Sequence, residues 1–266
     1  MSTRYTSVEI DSFVADFERD GFVTLRGHFD RGRLAAWHAA FMPLLDAHLA
    51  REAGHENRGS QRHYVTLPFA APFDDPSFFA DDDILAIVER VAGPDPAMCQ
   101  LATDTPLRGS DYQDIHRDTP PLFPEIAVEP PSYQLAVNFP LIDVTPEHGP
   151  VEIAPGTHRL PRADGVAMIE AGKVALQPYP MALGDVMIRD VRGLHRGTPN
   201  RTDTPRPMVV IGYSRAWYYR PEVSVRLPRA ALPALSARAR RLLRTNPVVE
   251  SLDAVPAGEE YQSFLF

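Results

Sequence analysis

The first third of the chain carries apolar residues at the spacing of amphipathic helices. They recur three and four positions apart over 8–19, which predicts a helix that Gly21 is suited to end. Asp30 is predicted to cap a second helix over 31–50, because a short acidic side chain accepts hydrogen bonds from the first free backbone N–H groups. A third helix is predicted over 82–92. The chain therefore opens with a helical part.

From residue 96 to residue 219 the pattern changes to short apolar segments separated by turn residues. Such segments, with no helix-length stretch between them, predict an antiparallel sandwich or barrel. An arginine-rich stretch over 232–245 predicts a final helix with a solvated basic face. The predicted fold is mainly β with flanking helices and a jelly-roll core. It forms one domain over 1–266, with a helical part over 1–95, the core over 96–219 and a C-terminal helix and tail over 220–266. The strand candidates are AMCQLA, YQLAVNFPLI, VEIAPG, VALQPYP, DVMIRDV and MVVIGYS.

Composition and charge exclude several functional classes. The chain has 266 residues, with 27 basic against 35 acidic side chains, a net charge of −8 and no long basic run, which argues against a nucleic-acid partner. No apolar stretch approaches the length of about eighteen residues that a membrane span needs. The acidic, amphipathic start lacks a signal-peptide pattern, and the single Cys99 cannot form an internal disulfide. These features predict a cytoplasmic protein.

Candidate metal ligands come from the spacing of histidine and aspartate. Two His-x-Asp triplets occur, His28-x-Asp30 and His116-x-Asp118. Because residues two apart on an extended segment point to the same side, each triplet can present an imidazole and a carboxylate together. Two histidines and one carboxylate on one face of a metal ion are the ligands of non-haem Fe(II) oxygenases. Asp30 already has a role as a helix cap, so the second triplet is the stronger candidate.

His195 is the strongest candidate for a third ligand. It lies between the predicted strands DVMIRDV and MVVIGYS, and a hairpin centred between Asn200 and Arg201 would place it opposite Arg206. A metal ion at His195 and a guanidinium at Arg206 could hold both ends of a small dicarboxylate. A loop of this length can also pair in other registers. His158 is a rival third ligand, although its Pro-Gly-Thr setting is typical of a turn.

The order of these motifs resembles that of the phytanoyl-CoA dioxygenase family, a branch of the Fe(II)/2-oxoglutarate-dependent oxygenases. The chain carries FERDGFVTLRGHFD, the His116-x-Asp118 triplet, DVTPEHGPVEIAPGTH and HRGTPNRTDTPR, which are similar to successive motifs of the family. The resemblance covers most of the chain and implies a double-stranded β-helix of the cupin type. It implies that His116, Asp118 and His195 ligate Fe(II) and that Arg206 binds the distal carboxylate of 2-oxoglutarate.

The resemblance also implies residues of the cosubstrate pocket. Met98 or Gln100 would line it from the strand that precedes the His-x-Asp triplet. Asn138 stands where the family commonly has tryptophan. Gly197 replaces a small hydroxyl residue that often follows the distal histidine by two positions. Both departures concern the lining of the pocket rather than the metal ligands.

Two further segments could contact ligands. His63 and Tyr64 fall where the family places a cosubstrate contact. The proline-rich segment over 119–133 is either a lid, from which Leu122, Phe123 and Ile126 could contact an apolar substrate, or a loop that packs on its own barrel.

The reaction implied is oxidation of a small molecule by O2, with conversion of 2-oxoglutarate to succinate and CO2. Asp118 favours hydroxylation, because related halogenases have a small residue at that position; desaturation, cyclisation and epimerisation are alternative outcomes. Two other classes stay open. One is a cupin-like isomerase or direct dioxygenase that uses the same ligands without 2-oxoglutarate, and the other is a non-catalytic small-molecule binder. The role of Arg206 discriminates a 2-oxoglutarate-dependent oxygenase from the cupin-like alternative.

Overall fold

A computed structural model describes residues 3–51, 58–126 and 128–252. Six α-helices and eleven β-strands lie within these ranges. The helices are α1 (Ser7–Asp20), α2 (Arg31–Arg51), α3 (Pro76–Phe79), α4 (Asp82–Ala92), α5 (Arg162–Glu170) and α6 (Ala237–Leu242). The strands are β1 (Phe22–Leu25), β2 (Arg62–Thr66), β3 (Ala97–Pro106), β4 (Gln134–Pro140), β5 (Glu152–Ile153), β6 (Gln177–Pro178), β7 (Val186–Asp190), β8 (His195–Arg196), β9 (Met208–Ser214), β10 (Leu227–Pro228) and β11 (Val248–Val249).

The larger sheet has six antiparallel strands in the order β1-β7-β4-β9-β3-β2. One row across its middle runs from Thr24 to Met187, Asn138, Val210 and Ala102. The smaller sheet has the order β6-β5-β8, and β10 and β11 form a separate parallel pair. A single antiparallel bridge joins His116 to His195 of β8. This bridge places the His-x-Asp segment beside the smaller sheet.

The predicted hairpin between the strands on either side of His195 is wrong. β4 lies between β7 and β9 in the larger sheet, so these two strands do not pair. His195 belongs to β8 of the smaller sheet, where it lies opposite Ile153. Arg206 lies outside the strands, and its backbone N–H donates to the carbonyl of Pro106 at 3.2 Å. A turn-rich connection as long as this one can cross between sheets, which sequence periodicity does not reveal.

The two faces of the larger sheet have different environments. Leu135 and Phe139 of β4 pack in the apolar core under the helices, where the ring of Trp37 from α2 lies 5.5 Å from that of Phe139. Gln134 and Asn138 alternate with them and line a cavity on the opposite face. This alternation follows from the two-residue period of a strand. The helices thus stabilise the back of the sheet and leave its front for a site.

The helices predicted for the first third of the chain are confirmed. Thr6 and Glu9 form a reciprocal capping box at the start of α1, and Gly21 ends this helix with a φ of 85°. The Asp30 carboxylate accepts a hydrogen bond from the N–H of Arg33 at 2.9 Å at the start of α2. α4 has the predicted bounds.

Other parts of the predicted outline need correction. The part expected to be helical also supplies β1 and β2 to the larger sheet. α5 lies inside the region where only strands were predicted, since the stretch around Gly165 has a weak apolar stripe. The C-terminal helix is divided into a 3₁₀ segment over Arg229–Ala234 and the short α6, because Pro233 cannot continue an α-helix. No helix in the described residues has the length and apolar character needed to cross a membrane.

Candidate metal and cosubstrate site

The side chains of His116, Asp118 and His195 converge at one point of the cavity. One potential ligand atom from each residue lies within 4.8 Å of the other two. The Asp118 Oδ1 atom is 3.9 Å from Nε2 of His116 and 3.6 Å from Nε2 of His195. All three residues are buried. Among the residues that the structure describes, this is the one cluster of three or more potential ligands with such geometry.

Backbone hydrogen bonds bring the two histidines together. The N–H of His116 donates to the carbonyl of His195 at 3.0 Å, and the N–H of His195 donates to the carbonyl of His116 at 3.1 Å. The N–H of Asp118 donates to the carbonyl of Val191 at 2.9 Å, which holds the carboxylate on the same side. The distant segments therefore meet through strand-type pairing.

Each imidazole is also oriented by a carbonyl two residues before it. Nδ1 of His116 lies 2.7 Å from the carbonyl oxygen of Asp114, and Nδ1 of His195 lies 2.9 Å from that of Gly193. A carbonyl only accepts, so each Nδ1 carries the proton and each Nε2 presents a lone pair to the cluster. Nε2 of His116 has no hydrogen-bond partner among the described residues. This arrangement fits a metal ion that binds neutral imidazoles.

The Asp118 carboxylate divides its two oxygens between different neighbours. Oδ2 accepts a hydrogen bond from Nη2 of Arg189 at 2.6 Å. Oδ1 faces the imidazoles and has no hydrogen-bond partner in the described part of the chain. The two histidines and this oxygen are the donor set of a two-histidine, one-carboxylate iron site, so the residues fit Fe(II).

The electrostatics of the cluster favour neutral histidines and an ionised aspartate. The pKa of His195 is lowered to about 3, firstly because burial disfavours the imidazolium and secondly because Arg189 is close. Burial lowers the pKa of His116 as well. For Asp118, burial alone would raise the pKa, but the surrounding groups, with the guanidinium of Arg189 first among them, outweigh this effect and keep the pKa below its usual value.

These shifts predict that acid destabilises the metal-free protein. His195 has a pKa of about 3 in the folded state against an ordinary value of 6.5. The unfolded chain therefore binds more protons within this interval, and the free energy of unfolding decreases as the pH falls through it. We expect a loss of about 1–2 kcal/mol between pH 7.5 and 5.5, measured by urea unfolding with a chelator present. The loss of free energy of unfolding should be smaller in His195→Asn. An unchanged pH dependence in that variant would contradict the assignment of the lowered pKa to His195.

Arg206 lies buried in the same cavity, with 2% of its surface exposed. Its Nε has no hydrogen-bond partner among the described residues. Burial and the nearby Arg62 lower the pKa of Arg206 to about 10, although Asp104 opposes them, so the side chain stays protonated at neutral pH. A buried guanidinium with a free donor suits a carboxylate ligand. His195 and Arg206 thus share one cavity without the hairpin that was predicted to join them.

Of the other residues expected near the cosubstrate, Gln100 and Asn138 line the cavity and Met98 does not. The side-chain amide of Gln100 donates to the Tyr64 hydroxyl at 2.8 Å. Met98 is 0% exposed and packs in the core beneath the helices. The register of β3 against β9 shifts between Met98 and Gln100, so an irregularity at Cys99 turns the two side chains to opposite faces. The expectation that Met98 could line the pocket is therefore wrong.

The structure gives a physical reason for glycine at position 197. A Cβ atom there would lie 2.6 Å from Cζ of Arg62. The Arg62 guanidinium is buried and bonds to the Asp104 carboxylate at 3.3 Å and the Thr198 carbonyl at 3.1 Å, which prevents it from moving aside. Arg62 therefore occupies the space that a larger side chain at position 197 would need.

We expect Gly197→Ala to lower the free energy of unfolding by about 1–3 kcal/mol, as overpacking of an interior does. Urea denaturation would measure this loss. Gly193→Ala is a matched control, because its added Cβ would meet no atom closer than 3.5 Å outside its chain neighbours. Equal stabilities of the two variants would show that Arg62 does not occupy the space beside position 197.

A buried ionic network supports the segment that carries the His-x-Asp triplet. Arg117 lies between the two candidate ligands and pairs with Glu129 at 2.5 Å. Arg192 contacts Glu129 at 3.4 Å and Asp190 at 2.7 Å. The network joins the end of β7 to the proline-rich loop over 119–133.

The exposed part of this loop does not contact the cavity. Phe123 is 47% exposed and Ile126 is 53% exposed. Neither residue is among those that line the cavity. The described geometry therefore resembles a surface loop with an anchored end more than a closed lid.

The remaining candidate histidines have structural surroundings. Nε2 of His28 lies 3.2 Å from the Asp81 carboxylate, away from the cluster. His158, the rival third ligand, is buried beside Gly21 and Phe17. His63 lies against His48 on the helix side, with ring centroids 5.4 Å apart.

Tyr64, which follows His63 on β2, has the opposite orientation and lines the cavity. Alternation along a strand allows only one of two consecutive residues to reach the site. His148 forms part of the turn that follows Thr145.

Several arginines of the cavity were not predicted from the sequence. Arg58, Arg189 and Arg220 line it together with Arg206. Nη1 of Arg220 donates to the backbone carbonyl of Asp118 at 3.1 Å. For Arg189, a signal was present, since a charged residue occupies the centre of the apolar strand segment DVMIRDV.

Comparison with known families agrees with this geometry. Residues 17–208, well over half of the chain, match the model of the family described as phytanoyl-CoA dioxygenase (PhyH). The chain belongs to the phytanoyl-CoA dioxygenase family. The resemblance of its motifs to that family is confirmed, and with it the assignment to the Fe(II)/2-oxoglutarate-dependent oxygenases, which use iron, 2-oxoglutarate and O2.

Solved structures of similar fold include two enzymes from nogalamycin biosynthesis and a protein from Streptomyces hygroscopicus. The epimerase SnoN in complex with Fe3+, alpha ketoglutarate and nogalamycin RO has a TM-score of 0.62 and 22% identity, and the match covers 81% of this chain and 88% of that chain. HygX from Streptomyces hygroscopicus with nickel, 2-oxoglutarate and hygromycin B has a TM-score of 0.59 and 18% identity, covering 82% and 89%. The carbocyclase SnoK from nogalamycin biosynthesis has a TM-score of 0.57 and 20% identity, covering 94% and 95%. These similarities confirm the jelly-roll fold of this family member.

Proposed function

We propose that this oxygenase hydroxylates a small molecule, with His116, Asp118 and His195 holding Fe(II) and Arg206 binding the distal carboxylate of 2-oxoglutarate. The observation that carries the proposal is the presence, in one cavity, of a three-donor cluster and a separate buried guanidinium. When bound, iron and 2-oxoglutarate supply the oxidation of a substrate C–H bond by O2, with release of succinate and CO2. The protein's residues bind, orient and shield these groups.

In this proposal, neighbouring groups keep each metal ligand in the form that binds the metal. The backbone carbonyls of Asp114 and Gly193 keep the two imidazoles in the tautomer that offers Nε2. Arg189 occupies one oxygen of Asp118 and leaves the other for the metal. The carboxylate at position 118 supports hydroxylation rather than halogenation, since it occupies the position that is small in related halogenases.

The lining of the cavity supports an amphipathic substrate without positive charge. Ala136, Val191 and Val210 form an apolar wall, and the side-chain oxygen of Gln134 is a buried acceptor with no partner among the described residues. The carboxylates that line the described cavity are Asp104 and Asp118.

Both carboxylates already have partners. Asp104 lies 3.3 Å from Arg62 and 3.8 Å from Arg58, and Asp118 belongs to the metal cluster. Four arginines line the same space. These arginines would therefore repel a substrate ammonium group, and no carboxylate that lines the described cavity is available to pair with it. We infer an uncharged or anionic substrate, in contrast to an aminoglycoside.

A succinate-release assay with Fe(II), 2-oxoglutarate and O2 across a substrate panel tests the proposal. The panel should pair uncharged and anionic ring compounds bearing hydroxyl groups with polycationic aminoglycosides. We expect succinate formation with members of the first group, together with a product that gains one oxygen atom from O2. An epimerised or cyclised product would retain the oxygenase class and overturn hydroxylation. Turnover that needs iron but no 2-oxoglutarate would favour the cupin-like alternative.

A further inference from the structure

Arg189 has one side-chain donor without a partner. Its side chain is 14% exposed and lies on the cavity face of β7. Nε donates to the side-chain oxygen of Asn138 at 3.1 Å, and Nη2 donates to Oδ2 of Asp118 at 2.6 Å. Nη1 is buried and has no hydrogen-bond partner among the described residues. A buried charged donor of this kind requires an acceptor that the described chain does not supply.

The guanidinium is held rigidly in this position. The side-chain amide of Asn138 donates to the carbonyl of Val209 at 3.1 Å, which orients its oxygen toward Arg189. Arg189 lies opposite Ala136 on the neighbouring strand, and this small side chain leaves space beside the guanidinium. Because the guanidinium is planar, Nη1 is the next donor beside the one that holds Asp118.

We propose that Arg189 is a cosubstrate-binding residue whose Nη1 donates to the 2-oxo carboxylate of 2-oxoglutarate, while its Nη2 holds Asp118. The inference rests on the proposed function, since it requires Asp118 to be a metal ligand. A 2-oxo acid bound beside the three candidate ligands would bring a second carboxylate close to that of Asp118, and the two negative charges would repel each other. A guanidinium shared between both carboxylates offsets this repulsion. Arg189 and Arg206 then bind opposite ends of one dicarboxylate.

The proposal separates the effects of the two arginines. Replacement of Arg189 should weaken the binding of any 2-oxo acid. Replacement of Arg206 should weaken the binding only of 2-oxo acids that have a second carboxylate. Loss of Arg189 removes both a positive charge that opposes the metal ion and a donor that orients Asp118, so its two effects on metal affinity oppose each other. A residue that only oriented Asp118 would lower the metal affinity and leave the affinity of the metal-loaded protein for 2-oxo acids close to that of the wild type.

The experiment compares the full-length wild type with Arg189→Met, Arg189→Lys and Arg206→Met. Calorimetry measures the affinity for Ni(II) alone. The anaerobic charge-transfer absorption of the Fe(II)-loaded protein measures the affinity for 2-oxoglutarate and for 2-oxobutyrate, which lacks the distal carboxylate. For Arg189→Met we expect a change in Ni(II) affinity of less than about tenfold and a loss of about tenfold or more in the affinity of the metal-loaded protein for both oxo acids. For Arg206→Met we expect a loss of affinity for 2-oxoglutarate and no loss of affinity for 2-oxobutyrate.

Each outcome has a distinct meaning. Wild-type affinity for 2-oxoglutarate in metal-loaded Arg189→Met would overturn the inference, as would an affinity for Ni(II) that falls further than the affinity for the oxo acids in a variant with a native circular dichroism spectrum. If Arg189→Met does not fold, Arg189→Lys tests the inference instead, because lysine keeps the charge but lacks the planar pair of donors. Wild-type affinity of Arg189→Lys for both oxo acids would then refute the inference. A wild-type protein that binds neither metal nor 2-oxoglutarate would contradict the proposed function itself.

Discussion

Replacement of His195 with alanine is expected to reduce succinate release to background and to lower the affinity for Ni(II) by about a hundredfold or more. The variant removes one of three donors, and even the partners that orient metal ligands contribute about 10–100-fold to metal affinity. Calorimetry of metal binding and the succinate assay would measure the two effects. The free energy of unfolding of the metal-free protein should fall as well, because the variant leaves a cavity at a buried position and removes the hydrogen-bond partner of the Gly193 carbonyl.

Two other histidines provide matched controls for this variant. His148 belongs to a turn, so His148→Ala should retain metal affinity and turnover. His158 is buried against Phe17, so His158→Ala should lose stability but retain metal affinity. Metal affinity that falls in His158→Ala as far as in His195→Ala would show that the third ligand has been wrongly assigned.

Replacement of Arg206 with methionine is expected to weaken 2-oxoglutarate binding by about a hundredfold, which corresponds to about 3 kcal/mol for a charge-assisted pair in a buried site. The affinity for the metal should not change. The KM for 2-oxoglutarate and the anaerobic charge-transfer titration would both report the loss.

The same variant has a second expected effect that a purely structural residue would not show. A buried guanidinium with an unfilled donor is costly in the absence of its ligand. We therefore expect Arg206→Met to unfold at the same or a higher urea concentration than the wild type when 2-oxoglutarate is absent. Stabilisation of the wild type by added 2-oxoglutarate should be lost in the variant. Arg201→Met, at an exposed position of the same connection, is the control. An unchanged affinity for 2-oxoglutarate in Arg206→Met would remove this arginine from the site.

The parts of the structure that were predictable from the sequence depend on local rules. The boundaries of α1 and α4 follow from apolar spacing and from residues that cap or end a helix, such as Gly21. The His116-x-Asp118 pair follows from the two-residue period of extended chain. In each case the interactions that decide the structure lie within a few residues of one another.

The errors arose where a local rule was extended beyond its range. The family resemblance implied Met98 or Gln100 as a pocket residue; residues two apart on a strand normally share a face, but an irregular register at Cys99 turns these two side chains to opposite faces. His195 and Arg206 were joined by a hairpin that β4 prevents by lying between the strands concerned. A bulge and a strand order are properties of pairing between distant segments, which a single sequence does not display.

The sequence by itself determined the residue types needed for the chemistry and the spacing that brings His116 and Asp118 together. It also determined, through motif resemblance, the family to which the chain belongs. Only the tertiary structure decided that Arg189 lies against Asp118 and that Arg62 occupies the space beside Gly197. The physical reason is that side-chain direction is set locally along a strand, whereas the neighbour that each side chain meets is set by which strands pair and in which register.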